Sequence, residues 1–207
     1  MLVLLLKCLT CEDVNTNVIY NLQLRLRHRV DTYMIVYVNQ KMGAVQRQEL
    51  ERTPFRWMLQ LEEPLKICND LLLELVSRWS VESRSFRIRE HLVPFNLFYV
   101  CVVLGLAVRG EEVCFDNCTP DLVNNLFGEE DITIQKIVEK LRKEENVHNY
   151  CRMYILFVFA DFYFPCTSRT VSTFHFSLLD DLESLHLWNW GKVVHSLLVR
   201  SLDQASH

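Results

Sequence analysis

Residues 150–164 read YCRMYILFVFADFYF, a stretch that is apolar on almost every side, with Asp161 as the exception. A helix of this composition has no face to give to water, so other elements must wrap it. That requirement points to a mainly α domain assembled around one buried helix. Asp161 in such a place needs a partner, and Arg152 and Arg169 are the candidates. No second acid or base is spaced to act with it, which favours a structural ion pair over an active-site acid.

The elements around that centre can be read from their start and stop signals. Thr53 followed by Pro54 predicts a short helix over 54–61, with Phe55, Met58 and Leu59 on one face. Pro64 breaks the chain, and Ile67, Leu71, Leu72, Leu75 and Val76 give a helix over 67–79, with Trp79 closing its stripe. Asn96 can cap a helix over 97–104, and Gly105 can take its left-handed closing position. Thr119-Pro120-Asp121 is another start signal, for a helix ending at Gly128. Thr133 begins an amphipathic helix with Ile134, Ile137, Val138 and Leu141 inward. Ser177 with Asp180 forms a capping-box arrangement for a helix buried through Leu178, Leu179, Leu182 and Leu185. Trp188-Asn189-Trp190-Gly191 makes a corner before a closing helix over 192–202, which buries Val193, Val194, Leu197 and Leu198.

Two places carry strand signals. Phe86-Arg87-Ile88-Arg89 and Leu92-Val93 read as a small β-hairpin between two helices. Nearer the N-terminus, Val18, Tyr20, Leu22, Leu24 and Leu26 alternate with polar residues in a period of two, and TYMIVYV over 32–38 is β-branched and aromatic. The expected fold is therefore mainly α: a helical domain over 46–207 with a small β-hairpin, preceded by an extension over 1–45 that forms an N-terminal strand pair. The competing reading of 32–38 is partly helical.

A net charge of −4 over 207 residues argues against binding nucleic acid by bulk electrostatics. Two local basic strips remain, Arg25 to Arg29 with His28, and Arg84, Arg87 and Arg89 at the hairpin. The second makes Arg84, Arg87 and Arg89 candidate nucleic-acid contacts. Of eight cysteines, Cys8 and Cys11 form one close pair and Cys114 and Cys118 another, but their wide separation is unlike a compact zinc site. Cys68, Cys101, Cys151 and Cys166 lie in apolar contexts, as reduced core thiols do. The opening MLVLLL is too short for a signal-peptide core. The uncharged run over 92–108 is interrupted by Pro94, Asn96 and Gly105, so no membrane span is expected.

No Gly-rich phosphate loop, nucleophile elbow or H-E-x-x-H motif is present. His175, His186 and His195 are close in sequence but fall on different expected elements, and His148 with Cys151 is a pair that helical spacing produces by coincidence. No catalytic residue, cofactor or metal is therefore expected, and the chain reads as a protein without enzymatic activity.

Several of these segments together resemble the plant mobile domain. They are Leu75-Val76-Ser77-Arg78-Trp79, then Phe86-Arg87-Ile88, then Leu92-Val93-Pro94-Phe95, then Leu104-Gly105-Leu106 with Gly110. Leu178 to Leu182, Trp190-Gly191 and the run Leu197-Leu198-Val199-Arg200-Ser201-Leu202 resemble the family's tryptophan–glycine corner and closing helix. The same pattern is shared by a related plant domain found ahead of SUMO-protease domains in transposon-derived genes. The chain departs from the family at Ala107, where proline is common, and at Tyr99, where an acid is common. It is also shorter than typical members, so both a complete protein and a fragment of a mobile element are open.

The resemblance implies a nuclear protein of transposon origin, in a family with members tied to gene silencing and genome stability, and the cytoplasm is the other compartment compatible with reduced thiols. It implies no catalytic site, and no pyridoxal-phosphate lysine with a phosphate cup is visible. The leading expectation is a non-enzymatic interaction module with a protein partner, with Trp188 and Trp190 as the candidate partner surface, although large aromatics at a corner are more often core residues. The rivals are a nucleic-acid-binding domain using the hairpin arginines in a winged-helix arrangement, a non-catalytic region ahead of a SUMO-protease-type domain, and an enzyme site assembled from Asp161, a His and a Cys.

Overall fold

The computed structural model describes residues 32–113, 125–128, 132–165, 171 and 177–206. The all-apolar segment is helical, as expected: α6 (Val147–Val158) runs straight into a wider π-type turn over Phe159–Tyr163, closed by the Phe164 N–H on the Phe159 carbonyl. From Met153 to Val158 every side chain is buried. Three helices and the chain's last corner supply the wrapping. α1 (Tyr33–Lys41) and α2 (Ala44–Glu51) precede a 3₁₀ turn over Arg56–Gln60, and α5 (Ile134–Leu141) lies on another side. Both α2 and α5 pack directly on α6.

An aromatic knot ties this centre together. Phe55 stands edge-on to Phe159 at 4.8 Å, to Trp190 at 5.2 Å and to Tyr163 at 5.3 Å between ring centroids. Two indole N–H groups that go inside are matched. Trp57 donates to the Tyr163 hydroxyl at 2.7 Å, and Trp190 donates to the Leu185 carbonyl at 2.7 Å.

The segment TYMIVYV is not a strand. It forms most of α1, because Ile35 and Val38 at helical spacing reach the common core and Asn39 beside them is buried as a hub. The Asn39 amide donates to the carbonyls of Met58 at 2.7 Å and Leu61 at 3.3 Å, and its oxygen accepts from the Tyr154 hydroxyl at 2.7 Å. Packing overrides β-propensity here. The alternating stretch 18–26, the Cys8/Cys11 and Cys114/Cys118 pairs, Cys166, the 119–121 start signal and the residues Arg169 and His175 lie outside the described residues.

Two expected helices are 3₁₀ turns for a common reason: charged or amide side chains take their carbonyls. Over 54–61 the carbonyl of Met58 goes to Asn39 and that of Leu59 to Arg47. Thr53 still accepts from the Phe55 N–H. Over 177–187 the Arg152 guanidinium bonds the carbonyls of Leu179 and Asp180, each at 3.0 Å, splitting the segment into turns over Ser177–Leu179 and Glu183–Leu187. Arg152 is thus engaged there and with Asn149, not with Asp161, which sits partly buried in the π-type turn.

The remaining elements follow the start signals closely. α3 (Asn69–Ser77) ends before Trp79, which belongs to the sheet. α4 (Leu97–Leu104) is capped by Asn96 accepting from the Tyr99 N–H, and Gly105 ends it at φ +62°. Thr133 caps α5 through the Lys136 N–H, and Asn189 starts α7 (Trp190–Ala205) through the Lys192 N–H. α4 rests on α7 at Gly191, where a Cβ would stand 2.2 Å from Cys101 Sγ and 3.0 Å from the Ala107 carbonyl. The loop after α4 clamps the same corner: Glu111 donates to Leu187 and its carbonyl accepts from Asn189, both at 2.8 Å.

Candidate functional site

Three short strands, β1 (Trp79–Ser80), β2 (Ser85–Ile88) and β3 (His91–Pro94), pair antiparallel in that order. The fold is mainly α with a small three-stranded antiparallel sheet, as expected. Trp79 faces Phe86 across β1 and β2, and Phe86 faces Val93 across β2 and β3. Strand alternation turns Phe86 to the interior, where Trp79, Phe86 and Phe95 form a second aromatic group, and sends Arg87 to solvent. The sheet is fastened to α7 twice. Trp79 Nε1 donates to Asp203 at 2.8 Å, and His195 stacks on Phe95 with its Nε2 3.1 Å from the Phe95 carbonyl.

On the outward face, one register step beyond the Trp79–Phe86 pair, the Arg87 N–H donates to the Arg78 carbonyl at 2.8 Å. Two arginines therefore stand side by side across the strands, a placement that costs stability unless an anion intervenes. Arg78 has its own: Nε lies 2.7 Å from Glu74 one helical turn back, Nη2 contacts the same carboxylate, and Nη1 reaches the Arg87 carbonyl at 3.3 Å. Arg89 opens the two-residue link to β3 with φ +55°, and Arg84 ends the β1–β2 turn with φ +48°. Left-handed backbone is uncommon outside glycine, yet a two-residue hairpin link demands a positive φ.

Ser77, Arg78, Trp79, Ser80, Arg87 and Arg89 line a cleft of about 350 Å³. The structure thus brings Arg87 and Arg89 together and leaves Arg84 exposed outside the cleft, where its backbone carbonyl accepts from Phe95. Arg78 was missed by sequence reasoning, which assigned it to a helix end. The signal that would have found it is the register that pairs Trp79 with Phe86, since it sets Arg78 opposite Arg87.

The expected aromatic surface at Trp188 and Trp190 needs correction. Trp190 is 1% exposed at the centre of the aromatic knot, and Trp188 is partly buried beside Glu111. Among the described residues, a contiguous exposed apolar stripe lies on α4 instead. Phe98, Tyr99, Val102 and Val103 on α4 are 41–62% exposed, while Val100, Cys101 and Leu104 of the same helix are buried. α4 carries no charged residue, so its outer stripe is apolar throughout.

Three of the described groups that could act as nucleophile or acid are held protonated by burial. Burial and the neighbouring Glu49 push the Cys151 thiol up to about 12, the reverse of what an activated cysteine needs, and His148 on the same helix is exposed. Burial likewise raises the hydroxyls of Tyr154 and Tyr163 far above their ordinary range. Among the described residues no group of three His, Cys, Asp or Glu is placed to hold a metal ion. Nor is any described helix long and apolar enough to cross a membrane.

Residues 28–207 match the family model described as Domain of unknown function (DUF8566), and the chain belongs to that family. Two curated proteins of Arabidopsis thaliana are more distant relatives. Protein MAIN-LIKE 1 is 25% identical over 165 residues, covering 69% of this chain and 32% of that protein. Protein MAINTENANCE OF MERISTEMS is 23% identical over 176 residues, covering 76% of this chain and 37% of that protein. The chain spans about a third of the length of these relatives. Both are plant mobile domain proteins, in line with the resemblance read from the motifs. No solved structure gives a significant match.

Proposed function

We propose that the chain is a non-enzymatic interaction module of plant mobile domain type that acts in the nucleus by binding a protein partner. The observation that carries this reading is the outer face of α4, where Phe98, Tyr99, Val102 and Val103 stand in solvent on a helix without charge. Contiguous apolar surface of that kind on a soluble domain marks a place where another macromolecule docks. The distant kinship with two plant mobile domain proteins supports the family setting, and the nuclear role with its tie to silencing and genome stability is what the resemblance implies.

The test is affinity capture from Arabidopsis nuclear extract with the whole chain, set beside a Phe98→Ser, Val102→Ser double variant. Both positions are exposed, so the variant keeps its helical circular-dichroism spectrum. A defined protein recovered with the native chain and reduced at least tenfold with the variant is the expected result. Equal recovery by both, or recovery of nucleic acid alone, refutes the reading.

A further inference from the structure

We infer that the cleft between the end of α3 and the outer face of the sheet is a binding site for a phosphate monoester carried on a protein segment, held by Arg78, Arg87 and Arg89. The inference rests on the protein-binding reading above, but at a different surface.

The chemistry starts from the arginines. Among the described residues the guanidiniums of Arg87 and Arg89 have no hydrogen-bond or ion-pair partner, although both border the same cleft. Arg78 is different, because Glu74 and the Arg87 carbonyl hold its guanidinium in one orientation. One fixed fork and two free ones around a single cavity of about 350 Å³ make a receptor for a compact, multiply charged anion. A phosphate monoester carries about −1.5 to −2 charge at neutral pH and three acceptor oxygens, enough for several forked contacts. Ser80 adds a hydroxyl at the rim, the Ser77 hydroxyl being engaged with the Glu74 carbonyl at 2.8 Å, and Trp79 packed beneath gives the site a firm wall.

The surroundings favour a peptide over a nucleic acid. Glu74 borders the arginines directly, and the turns that join the strands carry Glu82 and Glu90, both exposed. A polyanionic backbone crossing this face meets all three carboxylates, whereas one phosphate group in the cleft has beside it only Glu74, which is already paired with Arg78. The chain's net charge of −4 points the same way. Beside the cleft, Leu92 is 51% exposed directly across from Arg87, and Leu71 lies exposed on α3 three residues before Glu74. Apolar ground flanking a cationic pocket suits a phosphorylated residue with apolar neighbours in an extended segment.

The experiment is fluorescence anisotropy on the purified whole chain. One labelled probe is a degenerate heptapeptide library with phosphoserine at its centre, another the same library unphosphorylated, and a third a 20-base-pair DNA duplex. The expected result is at least tenfold tighter binding of the phosphorylated library than of its counterpart. That preference disappears in Arg87→Ala, Arg89→Ala and is weakened in Arg87→Lys, Arg89→Lys, which keeps the charge and loses the fork. Arg200→Ala, an exposed arginine on α7, leaves it unchanged. Equal binding of the two libraries overturns the inference, as does DNA binding that exceeds peptide binding and is lost in the same variants. The Phe98→Ser, Val102→Ser variant keeps its preference for the phosphorylated library, so failure here and failure of the α4 reading are read separately.

Discussion

Gly191→Ala tests whether the close approach of α4 to α7 has the physical basis assigned to it. The added methyl would lie 2.2 Å from Cys101 Sγ and 3.0 Å from the Ala107 carbonyl, with Leu97 Cδ1 at 3.4 Å. Overpacking at a tight contact costs about 1–3 kcal/mol. Against it stands the helix-propensity gain of alanine over glycine, ~1 kcal/mol in a helix interior and less in the first turn, where Gly191 lies. The clash wins, and the net loss is about 1–2 kcal/mol, which lowers Tm by ~2–8 °C for a chain of this size. Cys101→Ala removes the atom in the way. In that background the Gly191→Ala penalty falls to within about 0.5 kcal/mol of zero, since only the milder Ala107 contact is left, and the cycle shows a coupling of ~1 kcal/mol or more. Urea unfolding of the four proteins measures this. Additive effects, or a Gly191→Ala protein as stable as the native one, would refute the argument that α4 and α7 touch through the missing side chain.

Other outcomes follow from the buried polar groups. Tyr154→Phe removes the donor to Asn39 and leaves a buried amide oxygen unsatisfied, so urea unfolding should show a loss of about 1–3 kcal/mol. Native-state alkylation at pH 8, read by peptide mass spectrometry, should modify exposed Cys68 quickly and spare Cys101 and Cys151 until denaturant is added. Stability should decline as pH rises above 9, toward 12: the unfolded chain loses the Cys151 proton near 9.0 while the folded one keeps it to about 12, and Tyr150 adds to this from 10.0 to about 12. A flat unfolding free energy from pH 9 to 11 would contradict those burial assignments.

Much of the architecture was legible because its signals are local. The caps at Asn96 and Thr133, the left-handed stop at Gly105 and the all-apolar α6 are each encoded within a few residues of where they act. What escaped depends on partners distant in sequence. Nothing within TYMIVYV says that Asn39 will hold Met58 and Leu61 and so commit the segment to α1. Nothing in 177–187 announces that Arg152 will take two of its carbonyls and stop an α-helix. The site divides the same way. Arg87 and Arg89 stand out as a basic strip, whereas Arg78 joins them only through strand register, and Trp190 could be read as either corner core or surface because its neighbours Phe55 and Phe159 come from elsewhere.

The two proposed surfaces are linked by what holds them in place. α4 cannot rotate to hide Phe98 or Val102, because Gly191 seats Cys101 flush on α7 and both ends of the helix are pinned, by Asn96 at one and Gly105 at the other. The arginine cleft is set with similar rigidity, since Trp79 and Phe95 tie the sheet to Asp203 and His195 of that same α7. Association costs at least ~4 kcal/mol in lost rigid-body freedom, and more for every side chain that must be ordered. A short apolar stripe or a single anion pocket can repay that only if little ordering is left to do. One helix, α7, therefore supplies the preorganisation for both faces, and the glycine that begins it and the aspartate near its end bear on binding although neither faces a partner.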